Sequence, residues 1–194
     1  FRNCPLSSAI LFDELMQPLT PENVISMPFT LNRVKNGNDY TFASNDAMTK
    51  VIIPLSIKET SEFMFQDNSN LEVVEFREFR DGVDEHASKL TNINRGTFKN
   101  CTSLRSIELP QTVKDIGNGI FEGCSSLEEI ILSDNIKTIK ENTFKGCVSL
   151  KHLDLSTSVN SIKSNAFNNV YSLDYVYIPY AVSTLDLASN AFRD

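Results

Sequence analysis

Apolar residues recur along the chain with a period of 23 residues, which neither a single helix nor a single strand would produce. The segment FKNCTSLRSIELPQTVKDIGNGI, residues 98–120, is followed by FEGCSSLEEIILSDNIKTIKENT, FKGCVSLKHLDLSTSVNSIKSNA and FNNVYSLDYVYIPYAVSTLDLASNA. Each copy begins with Phe, and apolar residues fill the same later positions in every copy. A unit repeated at about 20–50 residues is typical of a solenoid, in which each repeat packs only on its neighbours.

The repeats predict one continuous domain rather than several. They begin at residues 42, 65, 98, 121, 144, 167 and 192, and an insertion of ten residues falls within residues 77–89. Before residue 42 the pattern survives only in fragments, so residues 1–41 are predicted to form an N-terminal cap and a degenerate first repeat. Residues 42–194 are the predicted array. Since a repeat opens at Phe192, we expect the array to continue in the natural protein.

The first half of each repeat predicts a short strand. In the pattern Leu-x-x-Ile-x-Leu, Ile107 and Leu109 fall on one side of a strand, and Ser106 and Glu108 fall on the other. One such strand per repeat, always in the same direction, gives a parallel sheet with strands about 4.8 Å apart. Seven of the thirteen residues in the segment 77–89 are charged, so the insertion is predicted to be a solvated loop outside the sheet.

The residues around each Phe predict a corner and a helical turn. Phe98, Cys101 and Leu104 are spaced by three residues, which suits one short helical turn with an inward apolar edge. Gly and Asn adopt positive φ most readily, and they stand two residues before each Phe, at Gly96, Gly119, Asn142, Asn165 and Asn190. The predicted fold is therefore an α/β right-handed solenoid, with one strand per 23-residue repeat and helical turns on the opposite side. Its core is a predicted ladder of Phe42, Phe65, Phe98, Phe121, Phe144 and Phe167.

The repeated unit F-x-x-C-x-S-L-x-x-I-x-L-P-x-x-V-x-x-I resembles the BspA-like, or Treponema pallidum-type, leucine-rich repeat over residues 42–194. This class occurs in surface proteins of bacteria and some protists. The resemblance implies a non-enzymatic adhesion or protein-binding module that is secreted or held at the cell surface. It also implies a protein or glycan ligand, such as host extracellular matrix. A passive spacer within a larger surface protein is the alternative, and we expect a monomer in either case.

Composition narrows the classes of partner. A net charge of −7 and an isoelectric point near 4.9 argue against nucleic acid, because phosphate binding needs clustered Lys and Arg. No stretch approaches the roughly 18 apolar residues that a membrane span requires, so no membrane insertion is predicted for this segment. Cys101, Cys124 and Cys147 share one repeat position with Val170. Together with Cys4 they are predicted to be structural thiols rather than disulfides or zinc ligands.

The sequence offers no constellation for catalysis and implies no cofactor. His152, Asp154 and Ser156 alternate along one predicted strand, so they include the three residue types of a hydrolytic triad. Their order is unsuitable, because His must stand between the nucleophile and the carboxylate to transfer the proton. Residues on one face of a strand are also about 6.6 Å apart. We therefore predict an ordinary solvated strand at these residues and no catalytic or metal site.

The outward strand positions are the candidate binding surface, since the solenoid core does not dictate their identity. One column contains Lys50, Val73, Ser106, Glu129, His152 and Tyr175, and the next contains Ile52, Glu75, Glu108, Ile131, Asp154 and Tyr177. Tyr175, Tyr177 and Tyr180 are the one cluster of the residue types that dominate interface hot spots. We predict that a partner contacts these tyrosines together with Asp154, His152 and Ile131. The alternative is that the tyrosines pack against a following repeat.

Overall fold

The structure, a computed structural model, describes residues 42–53, 57–76 and 89–193, together with the backbone of residues 24–26. The described residues form a parallel solenoid of short strands. The strands are β1 Val24–Ser26, β2 Lys50–Ile53, β3 Val73–Phe76, β4 Asn92–Ile93, β5 Ser106–Glu108, β6 Asp115–Ile116, β7 Glu129–Ile131, β8 Thr138–Ile139, β9 His152–Asp154, β10 Ser161–Ile162, β11 Tyr175–Tyr177 and β12 Asp186–Leu187. Every hydrogen-bonded pair is parallel.

Each repeat from residue 65 to residue 191 contributes two strands, whereas the sequence predicted one. The repeat that begins at Phe42 contributes β2 and an isolated bridge from Glu59 to Asn92. The longer strands β1, β2, β3, β5, β7, β9 and β11 follow one another on one side, here called the front, and β4, β6, β8, β10 and β12 form the back. Partners are offset by one repeat, as in Ser106↔Glu129 and Ile107↔Ile130. The back strands have only two residues each, which is too short for an alternating pattern to be recognised in the sequence.

The front ladder is interrupted twice. Hydrogen-bonded pairs join β1 to β2, β2 to β3, β5 to β7, and β9 to β11. Strands β3 and β5 are neighbours without such a ladder, and so are β7 and β9. The first interruption follows the insertion, of which only Lys89 is described. β3 ends at Phe76, and the core pattern resumes at Leu90. The remainder of the predicted loop, and the predicted cap except for the backbone of β1, lie outside the described residues.

The predicted helical turns are hydrogen-bonded turns instead, and the described residues contain no helix. The N–H groups of Gly96, Phe98 and Asn100 donate to carbonyl oxygens of the next repeat at 2.7–3.0 Å. The N–H groups of Lys99 and Cys101 donate to carbonyls three residues back, at 3.0 and 3.2 Å. Because alternate N–H groups bond between repeats, a continuous helical ladder cannot form. Bonding to neighbouring turns replaces bonding within a helix.

Left-handed residues set the corners of each turn. The corner two residues before Phe is confirmed at Gly96, Gly119, Asn142 and Asn165, with φ between 56° and 61°. The predicted left-handed corner is wrong at Asn190, because Asn190 does not have a positive φ. Asn190 belongs to a repeat that is two residues longer than the common length of 23. A second left-handed position follows each Phe by two residues, and the sequence analysis missed it. Asn100, Gly123, Gly146 and Asn169 occupy this second position, with φ between 57° and 76°.

The predicted Phe ladder is confirmed and forms the axis of the core. Its six side chains are at most 3% exposed. Successive rings are stacked with centroids 5.3–5.9 Å apart and interplanar angles of 6–23°. Phe192 continues the stack on Phe167 at 4.7 Å, although 45% of Phe192 is exposed. The ladder therefore fixes the register of the repeats, because each ring covers the next.

The repeated cysteines are free, buried thiols, as the sequence predicted. The Sγ atoms of Cys101, Cys124 and Cys147 donate to the carbonyl oxygen of the ladder Phe in the preceding repeat, at 3.1–3.2 Å. Burial raises the pKa of Cys124 to about 12 and also raises the pKa of Cys101 and Cys147. Cys4 lies outside the described residues. The three thiols thus serve as small hydrogen-bonding core residues.

Candidate protein-binding surface

Alternation along the front strands separates core residues from surface residues. In β5, β7, β9 and β11 the middle residue points inward, and the residues before and after it are exposed. The exposed residues define a surface here called the front face: Ser106, Glu108, Glu129, Ile131, His152, Asp154, Tyr175 and Tyr177. Five of the six predicted site residues therefore belong to one surface, on β7, β9 and β11.

The earlier front strands differ from this pattern. Lys50 and Glu75 form an ion pair at 2.7 Å, and Val73 is 39% exposed. Ile52 was placed in an outward column by its repeat position, but its side chain is fully buried. The predicted column is therefore wrong at Ile52, because a repeat position fixes the direction of a strand residue and not what covers it.

Two aromatic rings are stacked in the centre of the C-terminal half of the front face. The register of β9 and β11 places Tyr175 beside His152 and Tyr177 beside Asp154. The His152 and Tyr175 rings are stacked with centroids 5.5 Å apart and an interplanar angle of 16°. Each ring covers one face of the other, so the pair presents its edges and the far face of Tyr175. This stacking requires parallel strands in register, which the 23-residue spacing supplies.

Tyr175 and Tyr177 are about as exposed as an outward residue on an interior front strand. Ile131 lies on β7, which has β5 on one side and β9 on the other, yet its side chain is 46% exposed. Tyr175 and Tyr177 are 52% and 55% exposed, close to the value for Ile131. A further repeat beside β11 would therefore leave outward residues largely accessible, as it does for β7. That a following repeat packs against these tyrosines stays the alternative.

Tyr180 is close to this surface in sequence but lies in the turn after β11, beyond Pro179. Its side chain is fully exposed. Among the described residues it makes no ring contact with Tyr175 or Tyr177. Tyr180 therefore lies in the turn that follows β11 and not on a front strand.

Carboxylates without a cationic partner surround the apolar residues of the front face. Glu108, Glu129 and Asp154 are exposed on it, and Asp174 is exposed immediately before β11. Within the described ranges, none of these four carboxylates forms an ion pair or a side-chain hydrogen bond. Some carboxylates elsewhere are paired between repeats, as in Lys151–Glu128 at 3.4 Å. The unpaired carboxylates therefore give the front face a local negative charge.

A cleft opens on the front where the ladder is interrupted between β3 and β5. Its volume is about 450 Å³, and it is lined by Val74, Glu75, Phe76, Glu108, Leu109, Pro110 and Gln111. Its lining is part apolar, from Val74, Phe76, Leu109 and Pro110, and part polar, and Glu108 carries the negative charge of the front face into the cleft. Sequence reasoning missed this cleft, since its two walls belong to strands on either side of the insertion.

The back strands show a polar surface instead. The outward residues of β6, β8 and β12 are Asp115, Thr138 and Asp186, whereas Ser161 on β10 is buried and donates a hydrogen bond to Asp186. Inter-repeat ion pairs neutralise the carboxylates here, with Lys140–Asp115 at 3.1 Å and Lys163–Asp186 at 2.7 Å. Hydrogen bonds from Lys163 and Ser161 hold the pKa of Asp186 below its ordinary value. The front and back surfaces therefore differ in both aromatic content and charge balance.

The residues suspected of resembling a triad do not come together. The Ser156 hydroxyl donates to the backbone carbonyl of Asp134 at 3.2 Å, and His152 is stacked on Tyr175. No group of three metal-ligating side chains occurs among the residues that the structure describes. In the same part of the chain, no helix is long and apolar enough to cross a membrane.

Comparison with known proteins agrees with the repeat pattern. The BspA type leucine rich repeat region matches residues 23–87 and 84–194 in six copies. No curated protein matches the chain significantly. Among solved structures, the T. pallidum leucine rich repeat protein TpLRR superposes with a TM-score of 0.66 at 22% identity, over 75% of this chain and 63% of that one.

Two further crystal structures share the fold at low identity. A leucine-rich repeat protein from Eubacterium ventriosum gives a TM-score of 0.63 at 19% identity, over 79% of this chain and 46% of its own. The pneumococcal vaccine antigen PcpA gives 0.60 at 24% identity, over 73% of this chain and 35% of its own. The chain therefore spans less than two thirds of each of these relatives. From the repeat match over most of its length, the chain belongs to the BspA type leucine-rich repeat family.

Proposed function

We propose that this chain is a non-enzymatic protein-binding module whose partner contacts the C-terminal half of the front face. The contact residues are Tyr175, Tyr177, Tyr180, Asp154, His152 and Ile131. The observation that carries the proposal is the exposure of Ile131, Tyr175 and Tyr177, each about half accessible on a packed strand. Tyr offers a large contact area and few rotatable bonds, and a surface built on packed repeats loses little entropy on binding.

A passive spacer is supported less well. A spacer has no need for large apolar side chains on its exposed surface, and the polar back strands fit that description. On the front, Tyr175 stacks on His152 and three large apolar side chains remain accessible to solvent. Several large exposed aromatic and apolar side chains on neighbouring strands are typical of interaction sites. The observation therefore favours binding over spacing.

The proposed setting is the cell surface or the extracellular space, with host extracellular matrix as the partner to test first. Family membership supports this setting, as does the description of the relative PcpA as a vaccine antigen. Glycan binding through the tyrosines is the second candidate. The stacked His152 and Tyr175 rings cover one face of each other, so they offer less open ring surface for a sugar.

The test is a binding screen against purified matrix proteins, bacterial surface proteins and glycans. A variant carrying Tyr175→Ser, Tyr177→Ser and Tyr180→Ser should lose affinity for any specific ligand by at least about tenfold, as expected for a hot spot. Tyr171→Ser is the matched control, because Tyr171 is 69% exposed but lies in a turn outside the front face. Unchanged affinity in the triple variant would rule out this surface.

A further inference from the structure

We propose that the partner presents a basic segment, with Arg or Lys side chains that lie across the front face from the cleft to β11. The inference rests on the proposed function and specifies the chemistry of its partner. It is carried by the arrangement of Glu108, Glu129 and Asp154, which are exposed in successive repeats and have no cationic partner in the described part of the chain. Charge complementarity of this kind selects a partner and speeds its association.

The spacing of the carboxylates suits an extended or helical segment. Neighbouring strands in a sheet are about 4.8 Å apart, so the path from Glu108 on β5 to Tyr177 on β11 crosses three inter-strand steps, or roughly 14 Å on the same spacing. An extended chain of about five residues covers that distance. Carboxylates in adjacent repeats would then meet successive cationic side chains of one segment.

The cleft can bind one long cationic side chain of the partner segment. Its lining includes the apolar residues Phe76 and Leu109 together with Glu108. Lys and Arg bury their aliphatic stems along apolar surface while the charged head stays near water or an anion. Glu75 also lines the cleft but is already paired with Lys50. The carboxylate available to an incoming cation is therefore Glu108.

The aromatic pair supplies a second contact for a cation. One face of the Tyr175 ring is covered by His152, and the ring remains 52% exposed. A guanidinium group placed against the exposed part of the ring would gain a cation–π interaction, and Asp174, exposed immediately before β11, can accept its hydrogen bonds. The same charges repel sulfated glycans and nucleic acids, so the surface discriminates against polyanions.

The first measurement uses defined probes. A dodecapeptide of alternating Arg and Gly is titrated against the isotope-labelled chain, in parallel with the same peptide carrying Glu in place of Arg and with a heparin oligosaccharide. We expect the Arg peptide to bind at least about tenfold more tightly than the Glu peptide and to shift amide resonances of β5, β7, β9 and β11. Binding should weaken as salt rises, because exposed charges are screened. Shifts confined to the back strands, or equal binding of heparin, would overturn the proposal.

The second measurement separates local from overall charge. The variant Glu108→Gln/Glu129→Gln/Asp154→Asn should lower affinity for the Arg peptide by about tenfold. The control variant Glu59→Gln/Asp115→Asn/Glu141→Gln removes the same net charge away from the front face and should change affinity less than twofold. Equal losses in both variants would show a nonspecific effect and sink the inference. If a ligand depends on the tyrosines but tolerates the front-face neutralisation, the proposed function stands and the basic partner is rejected.

Discussion

The Sγ atom of Cys124 donates a hydrogen bond of 3.1 Å to the backbone carbonyl oxygen of Phe98, one repeat earlier. The hydrogen bond thus joins two repeat positions that are separate in the sequence, the Cys position of one repeat and the Phe position of the preceding one. Both groups are fully buried. Burial disfavours the thiolate, which is why the pKa of Cys124 is raised to about 12.

This linkage predicts a loss of stability at alkaline pH. The folded chain holds its thiol protons to higher pH than the unfolded chain, so the stabilisation is complete below the unfolded pKa. For Cys124, the free energy of unfolding should fall between about pH 9 and pH 12. The slope should approach about 1.4 kcal/mol per pH unit for each buried thiol.

Urea unfolding at several alkaline pH values measures this slope. The control is the variant Cys101→Val/Cys124→Val/Cys147→Val, since Val170 already occupies the same repeat position in the next repeat. Its stability should depend less steeply on pH, whatever its absolute stability at neutral pH. Identical slopes in the two proteins would contradict the assignment.

The Phe ladder predicts a strong contrast between its interior and its end. Phe121→Ala removes a fully buried ring that stacks on both neighbours, so it should lower the free energy of unfolding by about 3–5 kcal/mol. Phe192→Ala removes a ring that is 45% exposed and stacks on one described neighbour, Phe167. Its cost should be clearly smaller. Chemical denaturation of both variants measures the contrast, and similar costs would mean that stacking does not set the register.

At the second left-handed corner, adding a single methyl group to a glycine should lower the free energy of unfolding. Gly123 has φ of +76°, and an added Cβ would also meet the amide of Asn100 in the preceding repeat. Gly123→Ala should therefore cost about 1–3 kcal/mol in thermal or chemical unfolding. Asn142→Gly, at the other corner with φ of 57°, is the comparison and should change stability by less than about 1 kcal/mol. A neutral Gly123→Ala variant would show that this corner is adaptable.

The core could be predicted from the sequence because most inward positions repeat at the same spacing with apolar residues, although Asn45 and Asn68 are buried at the Cys position of the first two repeats. Phe98, Cys101 and Leu104 are all fully buried, as their columns require. The helical turns could not be predicted correctly, because the three-residue spacing also fits a chain of separate turns. Hydrogen bonds such as Phe98 N–H to Ile120 C=O decide between the two, and they join residues 22 positions apart.

For the candidate surface, too, the sequence predicts some features and not others. The repeat positions predicted that the His152 and Tyr175 side chains point outward. The parallel register of β9 and β11 then brings their rings into contact. The interruption between β3 and β5 has no signal in the columns, because apolar residues on both sides of the insertion keep their places. The cleft and the burial of Ile52 depend on what surrounds each strand, so periodicity alone did not reveal them.

The insertion predicts that part of the chain can be shortened. β3 ends at Phe76 and the core resumes at Leu90, with Ile93 paired in register to Ile116 on the next back strand. Deleting ten residues within 77–89 restores the common repeat length and should leave the melting temperature nearly unchanged. Calorimetry of the shortened chain tests this. A drop of many degrees would show that the segment caps or braces the array.

The front face predicts that binding and stability can be separated. Tyr175→Ser and Tyr177→Ser remove side chains that are more than half exposed, so they give up little buried area and should each cost less than about 1 kcal/mol. Tyr175→Ser should cost more than Tyr177→Ser, because it also removes the stack on His152. Equilibrium unfolding gives these costs, and ligand titration of the same samples gives the loss of affinity. Were either change to destabilise the chain as much as Phe121→Ala, the tyrosines would be core residues and the binding surface would lie elsewhere.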